Sequence, residues 1–299
     1  MTLRREPFHA RLLADVLRLA YLGVIGLSVA AALVLLPRVY PLWRDVAGRL
    51  IAVLATQILA VALLRQVTPK PLDGLHRVAA NSAYLRWLMS SVLSEVAQRG
   101  LVRAPFWFLH GTRCLYLRAL GADLAWRVSI PIDVVIREPS LVAIGSGAQL
   151  EAGVKLESTS FGEGRIQVGT ISLGEGCLIG AHAVVLGGAS IAHDARVGAG
   201  ALIAQDARIG FAASIGARAV IGERAEVGSY AVIGAGAVIG EGAHVGERAR
   251  VSPGSTVPAG RKIAEREVWP RDEEMRTGEP GRARPTSVVV APELSSPES

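Results

Sequence analysis

Residues 195–236 read ARVGAG-ALIAQD-ARIGFA-ASIGAR-AVIGER-AEVGSY-AVIGAG, seven copies of one six-residue pattern. Each copy begins with Ala and carries Val or Ile at its third position, and most continue with Gly. Followed in both directions, an aliphatic residue recurs every six positions from Leu173 to Ile263, sixteen times without a slip. A less regular set lies between Ile144 and Leu156. A fixed short period is typical of a solenoid, in which each repeat buries its apolar side on its neighbours.

The six-residue period predicts how this part of the chain folds. A hexad supplies one short strand and one turn, and three hexads close a triangular coil of 18 residues, so each aliphatic residue stacks on its equivalent 18 positions later. The Ala two positions earlier also points inward, where the corner leaves little room, and Gly eases the sharp turn. Neither an α-helix nor an alternating strand has this period. The repeat therefore predicts a parallel β-helix of about seven coils over residues 126–264.

Two resemblances to known families follow from these residues. Residues 142–264 resemble the all-β, left-handed parallel β-helix of hexapeptide-repeat acyltransferases, which implies a homotrimer with acyl-donor sites in the grooves between neighbouring solenoids. A wider stretch, 117–264, resembles the membrane-bound terminal domain of polylysine-synthetase-type nonribosomal peptide synthetases. The runs that carry the second resemblance are LRALGA at 117–122, LVAIG at 141–145 and GCLIGAHAVVL at 176–186.

The period breaks between Leu156 and Leu173, where the sequence reads ESTSFGEGRIQVGTIS. An insertion here would project from a corner of the coil. In the resembled enzymes such a loop often helps to form the active site, whereas the alternative is a bulge without a role. Alignment with the synthetase-type domain implies a His near Thr159. A Thr hydroxyl cannot act as a general base, so either another His has that role or catalysis is impaired.

Histidines are the candidate bases for acyl transfer. Transfer from a thioester needs a base that activates the acceptor hydroxyl or amine and a donor for the oxyanion, and in the resembled enzymes the base is usually a His. Three of the six histidines occupy outward positions in the repeat: His182, His193 and His244. His182 and His193 are the predicted catalytic residues, because they lie in hexads next to the 157–172 loop. The alternative for each is a solvated polar side chain.

The end of the repeat carries the candidate coenzyme A site. Arg261 and Lys262 could meet the phosphates of a coenzyme A thioester, with acetyl-coenzyme A as the expected co-substrate. The alternative is a charged cap that keeps the last coil soluble. The Gly-x-Pro-Ala closing motif usual in the resembled family is missing. From Pro270 the sequence is rich in Pro, Glu, Arg and Ser, so residues 265–299 are predicted to form a disordered tail.

The N-terminal region predicts a membrane anchor. After a basic leader at 1–18, residues 19–64 hold two uncharged apolar segments bordered by arginines, 19–36 and 50–64. The first just spans a hydrocarbon core of about 30 Å, and the second is short enough to be either a second span or a buried or interfacial helix. Residues 65–125 mix aromatic and basic positions, as expected of an amphipathic helical linker at the headgroup layer, the alternative being a helical cap on the next domain.

Charge and cysteine content exclude several other classes of protein. The 32 basic and 26 acidic residues give a net charge of +6, with no basic stripe for nucleic acid. Two cysteines, Cys114 and Cys177, cannot build a disulfide framework or a multi-cysteine zinc site. The related γ-type carbonic anhydrases place a second zinc-binding His where this chain has Gly187, so no metal is expected.

These observations predict a membrane-anchored acyltransferase that moves an acetyl or other acyl group from coenzyme A to a membrane-proximal acceptor, such as an envelope glycan, a lipid precursor or a peptide intermediate. The alternative is a non-catalytic trimeric scaffold or condensation partner of a peptide synthetase. The expected partners are membrane lipids, further copies of the chain and peptide-synthetase or envelope-biosynthesis proteins. The loop between the apolar segments is the least basic, which predicts a bacterial inner membrane location with a cytoplasmic solenoid.

Overall fold

The computed structural model describes residues 8–35, 42–77, 82–98, 110–162 and 165–270. They form a layer of helices followed by a β-solenoid. The helices are α1 (Phe8–Leu35), α2 (Leu42–Val67), α3 (Ser82–Gln98) and α4 (His110–Ala119), and strand β1 (Gly74–Arg77) lies between α2 and α3. The predicted disordered tail lies mostly outside the described residues.

The two predicted apolar segments lie in α1 and α2. Helix α1 contains one stretch that is long and apolar enough to cross a membrane, Leu13–Ala31, with a mean hydropathy of 1.7. The apolar part of α2, Ile51–Val67, is shorter than a span requires. Helix α1 packs against α2 and α3, so the three form one layer.

The solenoid is built from two- and three-residue strands that alternate with turns, as the hexads predict. Before the break in the repeat the strands are β2 (Asp123–Leu124), β3 (Val135–Ile136), β4 (Val142–Ile144), β5 (Gln149–Leu150) and β6 (Lys155–Glu157). After it come β9 (Ile171–Leu173), β10 (Leu178–Ile179), β11 (Val184–Leu186), β12 (Ser190–Ile191), β13 (Arg196–Val197), β14 (Leu202–Ile203), β15 (Arg208–Ile209) and β16 (Ser214–Ile215). The remainder are β17 (Val220–Ile221), β18 (Glu226–Val227), β19 (Val232–Ile233), β20 (Val238–Ile239), β21 (His244–Val245), β22 (Arg250–Val251), β23 (Thr256–Val257), β24 (Lys262–Ile263) and β25 (Val268–Trp269).

These strands form three parallel sheets, which are the faces of a triangular prism. Face 1 contains β2, β4, β9, β12, β15, β18, β21 and β24; face 2 contains β5, β10, β13, β16, β19, β22 and β25; face 3 contains β3, β6, β11, β14, β17, β20 and β23. The chain turns from face 1 to face 2 at the first corner, from face 2 to face 3 at the second corner and from face 3 back to face 1 at the third corner. Seven complete coils and two sides of an eighth result, which confirms the predicted parallel β-helix.

The ends of the solenoid differ from the predicted boundaries. A short bridge from Ser129 to Gln149 completes the first coil on face 2. The first strand begins at Asp123, before residue 126, and the last ends at Trp269, beyond residue 264. A short 3-10 helix, Pro139–Leu141, leads from the first coil into the second.

The interior contains the residues that the repeat predicts. Ile203 pairs with Ile221, and Ile221 with Ile239, so that equivalent side chains stack along the axis. The aliphatic position and the Ala two places before it are almost completely buried, while the residue between them faces outward. Cys177 takes an Ala position, and its burial raises the thiol pKa to about 11. The Cys177 thiol is therefore neutral and unreactive at physiological pH.

The break in the repeat is a β-hairpin. Strands β7 (Thr159–Gly162) and β8 (Arg165–Val168) leave the third corner between β6 and β9, and β1 from the helical layer adds to the outer edge of β8. Ile166 and Val168 are buried in a second core with side chains of α3 and α4. The hairpin therefore joins the solenoid to the helices.

Candidate functional site

His182 occupies a turn at the second corner. It adopts a left-handed backbone conformation (φ 57°), and its N–H donates to the carbonyl of Ala152 at 2.9 Å. The imidazole lies across Gly153, where a Cβ would come within 2.3 Å of His182 Nδ1. The side chain is exposed, and among the described residues its ring nitrogens have no hydrogen-bond partner. The geometry leaves both ring nitrogens available to a ligand.

His193 occupies the equivalent turn at the first corner, and it is oriented differently. Its Nδ1 accepts the backbone N–H of Glu175 at 2.9 Å. A neutral imidazole has one protonated nitrogen and one lone pair in the ring plane, so the neutral His193 ring carries its proton on Nε2. In this geometry His193 presents a hydrogen-bond donor to solvent rather than a base.

The two candidate histidines do not come together within one chain. His182 lies at the second corner and His193 at the first, whereas the β7–β8 hairpin projects from the third. Both histidines are close to the hairpin in sequence but lie at other corners, because consecutive hexads lie on different faces. A site that contains either histidine together with a hairpin would need a second solenoid beside the first.

His244 belongs to a charged row on face 1. Its Nδ1 lies 3.2 Å from Glu226 Oε2, and the same carboxylate lies 3.4 Å from Arg208. Lys262 follows His244 in register on the next coil and is exposed. Arg208 and His244 thus both contact the one carboxylate of Glu226, as expected of a solvated surface, and each exposed ion pair contributes little to stability.

The two residues of the candidate coenzyme A site have different surroundings. The Arg261 guanidinium lies 5.1 Å from the centroid of the Trp269 ring, a residue of the last coil that is almost fully buried. Lys262 points outward from face 1. Arg261 thus covers the end of the core, while the Lys262 ammonium is available to an anionic ligand.

Aromatic and basic side chains form a column at the first corner, on the coils that follow His193, which the sequence pattern did not predict. Phe211 and Tyr230 pack edge to face at the first corner with ring centroids 5.3 Å apart, and the Arg248 guanidinium lies 5.3 Å from the Tyr230 ring. Both rings are partly exposed. All three residues occupy the turn of their hexad, 18 or 19 positions apart, so their alignment could have been found from the sequence. The six-residue period, however, identifies the inward positions and not the residues that stack at a corner.

Thr159, the position where a His was expected, is buried beside a carboxyl group. Its hydroxyl donates to Glu138 Oε2, and Trp87 Nε1–H donates to Glu138 Oε1 at 2.8 Å. Glu138 is fully buried. Burial raises the pKa of Glu138, and the hydrogen bonds from Thr159 and Trp87 oppose that shift. The arrangement ties α3, the second coil and the hairpin together, and it contains no general base with an accessible lone pair.

No group of three His, Cys, Asp or Glu side chains in the described ranges is arranged to hold a metal ion. The expectation that the protein binds no metal stays a prediction. The position that Gly187 takes instead of a second His packs against the backbone of Ser158, where a Cβ would come within 2.5 Å of the Ser158 carbonyl oxygen.

Comparison with known proteins identifies the repeats. Residues 170–205 and 206–241 each match the family described as bacterial transferase hexapeptide (six repeats), and residues 225–259 match the hexapeptide repeat of succinyl-transferase. The delta-poly-L-ornithine synthetase of Acinetobacter baumannii is 33% identical over 104 residues, which are 34% of this chain and 7% of that protein. The chain thus spans a small part of the length of this relative.

Solved structures show similar solenoids at low identity. A Francisella novicida UDP-N-acetylglucosamine acyltransferase is 16% identical with a TM-score of 0.39, covering 48% of this chain and 63% of its own. A Caulobacter crescentus perosamine N-acetyltransferase, solved with CoA and GDP-perosamine, is 17% identical with a TM-score of 0.27, covering 70% of each chain. Together the family matches cover residues 170–259, which form most of the solenoid, as hexapeptide repeats.

Proposed function

We propose that the protein is a membrane-anchored acyltransferase that moves an acetyl or other acyl group from coenzyme A to a membrane-proximal acceptor. The observation that carries this proposal is the set of bacterial transferase hexapeptide repeats, which display exposed histidines at the corners of the solenoid. Acyl transfer is the chemistry named for the similar solenoids of Francisella and Caulobacter.

The proposed reaction needs one base and one oxyanion donor. The base takes the proton of an acceptor hydroxyl or amine, the acceptor atom attacks the thioester carbonyl, and collapse of the tetrahedral intermediate breaks the C–S bond. The thiolate of coenzyme A leaves and takes up the proton from the base. His182 is the better candidate base, because its ring nitrogens are uncommitted, whereas His193 Nδ1 is occupied by the Glu175 N–H and its Nε2–H suits an oxyanion.

The proposed donor site lies along face 1. Lys262 is exposed there and can pair with a phosphate as a point charge. The Caulobacter relative and an N-acyltransferase of Bacillus cereus were both solved with coenzyme A, which is the reason for choosing this donor. Arg261, which contacts Trp269, is the less available of the two predicted residues.

The proposed anchor is α1 with α2. The apolar stretch Leu13–Ala31 is long enough to span a bilayer, and its side chains are largely exposed, with Leu19 71% and Leu27 73% accessible. Such surface is unfavourable in water and favourable in lipid. The arginine distribution favours the inner membrane with the solenoid in the cytoplasm. A homotrimer is part of the proposal, because it would place a neighbouring solenoid against the corners that carry His182 and His193.

One observation favours the alternative, a scaffold or condensation partner of a peptide synthetase. The synthetase-type domain is expected to have a His near Thr159. Here the Thr159 hydroxyl instead donates a hydrogen bond to the buried Glu138 carboxyl group. The similarity to a poly-ornithine synthetase supports the same association.

Turnover measurements on histidine variants test the enzyme proposal. The detergent-solubilised full chain is assayed for thiol release from acetyl-coenzyme A with sugar, lipid and amine acceptors. We expect His182→Ala to lose about a hundredfold or more in turnover, since a positioned base typically contributes about 10²–10⁴-fold. Arg224→Ala is the matched control, because Arg224 also occupies an exposed turn but lies at the third corner and pairs with Glu241, away from His182 and from Lys262. Full activity in both His182→Ala and His193→Ala would show that neither is the base.

Calorimetric titration with coenzyme A separates the enzyme from the scaffold. Micromolar affinity for coenzyme A or acetyl-coenzyme A is expected of the enzyme, while the scaffold is expected to show no binding at millimolar concentration.

A further inference from the structure

The first coil carries an uncovered tryptophan. Trp126 lies in the turn at the first corner of this coil and is 87% exposed. The Arg118 guanidinium lies 3.9 Å from the centroid of its ring. Nε and Nη2 of Arg118 both donate to the carbonyl of Leu124, at 3.0 and 2.9 Å. The arginine is therefore held in place, and the indole is presented on it with its other side open.

The last coil also carries a tryptophan beside an arginine, but there the tryptophan is buried. Trp269 is 6% exposed, Arg261 lies over its ring, and its Nε1–H donates to the Thr256 carbonyl at 3.1 Å. This pair closes the far end of the core. Trp126 closes nothing, because α4 already covers the near end through Leu117. Structural stability therefore does not account for its exposure.

The location of Trp126 indicates what covers it. Helix α4 caps the first coil and packs on its other side against α2, so Trp126 lies at the end of the solenoid that is attached to the apolar helices. Leu115, one turn before Arg118 on α4, is 46% exposed. Exposed apolar side chains also continue past the end of α2 to Leu72. Exposed Arg127 follows Trp126 in the chain.

We propose that Trp126, Leu115 and Arg118 form a second contact with the membrane, which seats the first coil on the headgroup layer of a phospholipid bilayer. An indole is favoured at this depth because its ring is apolar while its N–H can reach water or phosphate, and arginine beside it suits the phosphates. The contact holds the near end of the solenoid at the surface that α1 enters. The proposal rests on the proposed membrane anchor.

Depth-dependent quenching of tryptophan fluorescence tests the contact. The full chain is reconstituted into phosphatidylcholine vesicles with and without a lipid that carries a doxyl quencher in the upper acyl chain, and flotation establishes binding. The emission of Trp126 is the difference between wild type and Trp126→Phe. We expect this difference to be quenched by about half or more. Trp269→Phe is the matched control, and its difference spectrum is expected to be unaffected by the quencher.

The outcomes separate the two proposals. If the full chain does not float with vesicles, the membrane anchor is refuted. If it floats and the Trp126 difference spectrum is not quenched, the anchor stands and the second contact is refuted. Emission from Trp126 that shifts with protein concentration in detergent, together with no quenching in vesicles, would assign the surface to a second copy and also overturn the proposal.

Discussion

The solenoid and the junction that joins it to the helices obtain their stability in different ways. In the solenoid every coil repeats the same contacts, so Ile221 stacks between Ile203 and Ile239 in an environment that its neighbours share. At the junction, Glu138 contacts Trp87 from α3 and Thr159 from the hairpin, and no other part of the described chain repeats this arrangement. A repeated contact can be read from a period in the sequence, while a unique contact needs the fold to be known.

The largest expected effect tests the inward stack. Ile221→Asp would bury an unpaired carboxylate between coils, and we expect it to destabilise the protein by about 4 kcal/mol or more and to abolish cooperative melting. Val220→Asp is the matched control on the same strand, since Val220 faces outward, and it should cost less than about 1 kcal/mol. Thermal unfolding followed by circular dichroism measures both. Equal effects of the two substitutions would contradict the alternation of faces.

An intermediate effect separates two kinds of glycine in the solenoid. A Cβ at Gly216 would lie 2.4 Å from the Ala235 backbone nitrogen on the next coil, so Gly216→Ala should cost about 2–3 kcal/mol. Gly242 has φ +62° and open space around it, so Gly242→Ala should cost only about 1 kcal/mol for the left-handed conformation. Ala212 already adopts φ 49°. Denaturant unfolding ranks the pair, and the reverse order would mean that turn conformation, not coil spacing, limits the residue type.

The smallest expected effect concerns the junction and pH. Because burial raises the pKa of Glu138 above that of the unfolded chain, the folded state binds the proton more tightly. The stabilisation that comes from this bound proton is complete below the ordinary glutamate pKa of about 4.3. It is lost as the pH rises through the raised pKa of the folded state, and it amounts to about 1.4 kcal/mol for each pH unit that separates the two pKa values. Glu138→Gln keeps the shape of the side chain and removes its titration. The free energy of unfolding of the wild type, measured relative to this variant, should therefore decrease with increasing pH. A difference that is constant from pH 4 to pH 8 would show that Glu138 does not titrate in this range.

The sequence predicted the solenoid because each hexad makes the same prediction independently. It located the inward residues, the break at 157–172 and the outward direction of His182 and His193. It missed the pairing of β1 with β8, the Glu138 cluster and the Trp126–Arg118 stack. Trp87 and Glu138 are 51 residues apart, and Thr159 is 21 from Glu138, so no local pattern links them. The identity of the base also depends on hydrogen bonds such as that of Glu175 to His193, which no pattern of residue types contains.

The regular register also makes the solenoid behave as a three-sided screw. Residues 18 apart, such as Arg208 and Glu226, share a face, so inserting or deleting one whole coil would change only the height of everything beyond it. Inserting or deleting a single hexad would instead rotate all later side chains onto the next face. The charged row of face 1 would then move round the prism, while the buried core kept its composition. Insertions and deletions of 18 residues therefore alter the length of the solenoid, whereas those of six residues alter which surfaces lie on the same face. Neither should cost much folding stability, because the buried positions keep the same residue types.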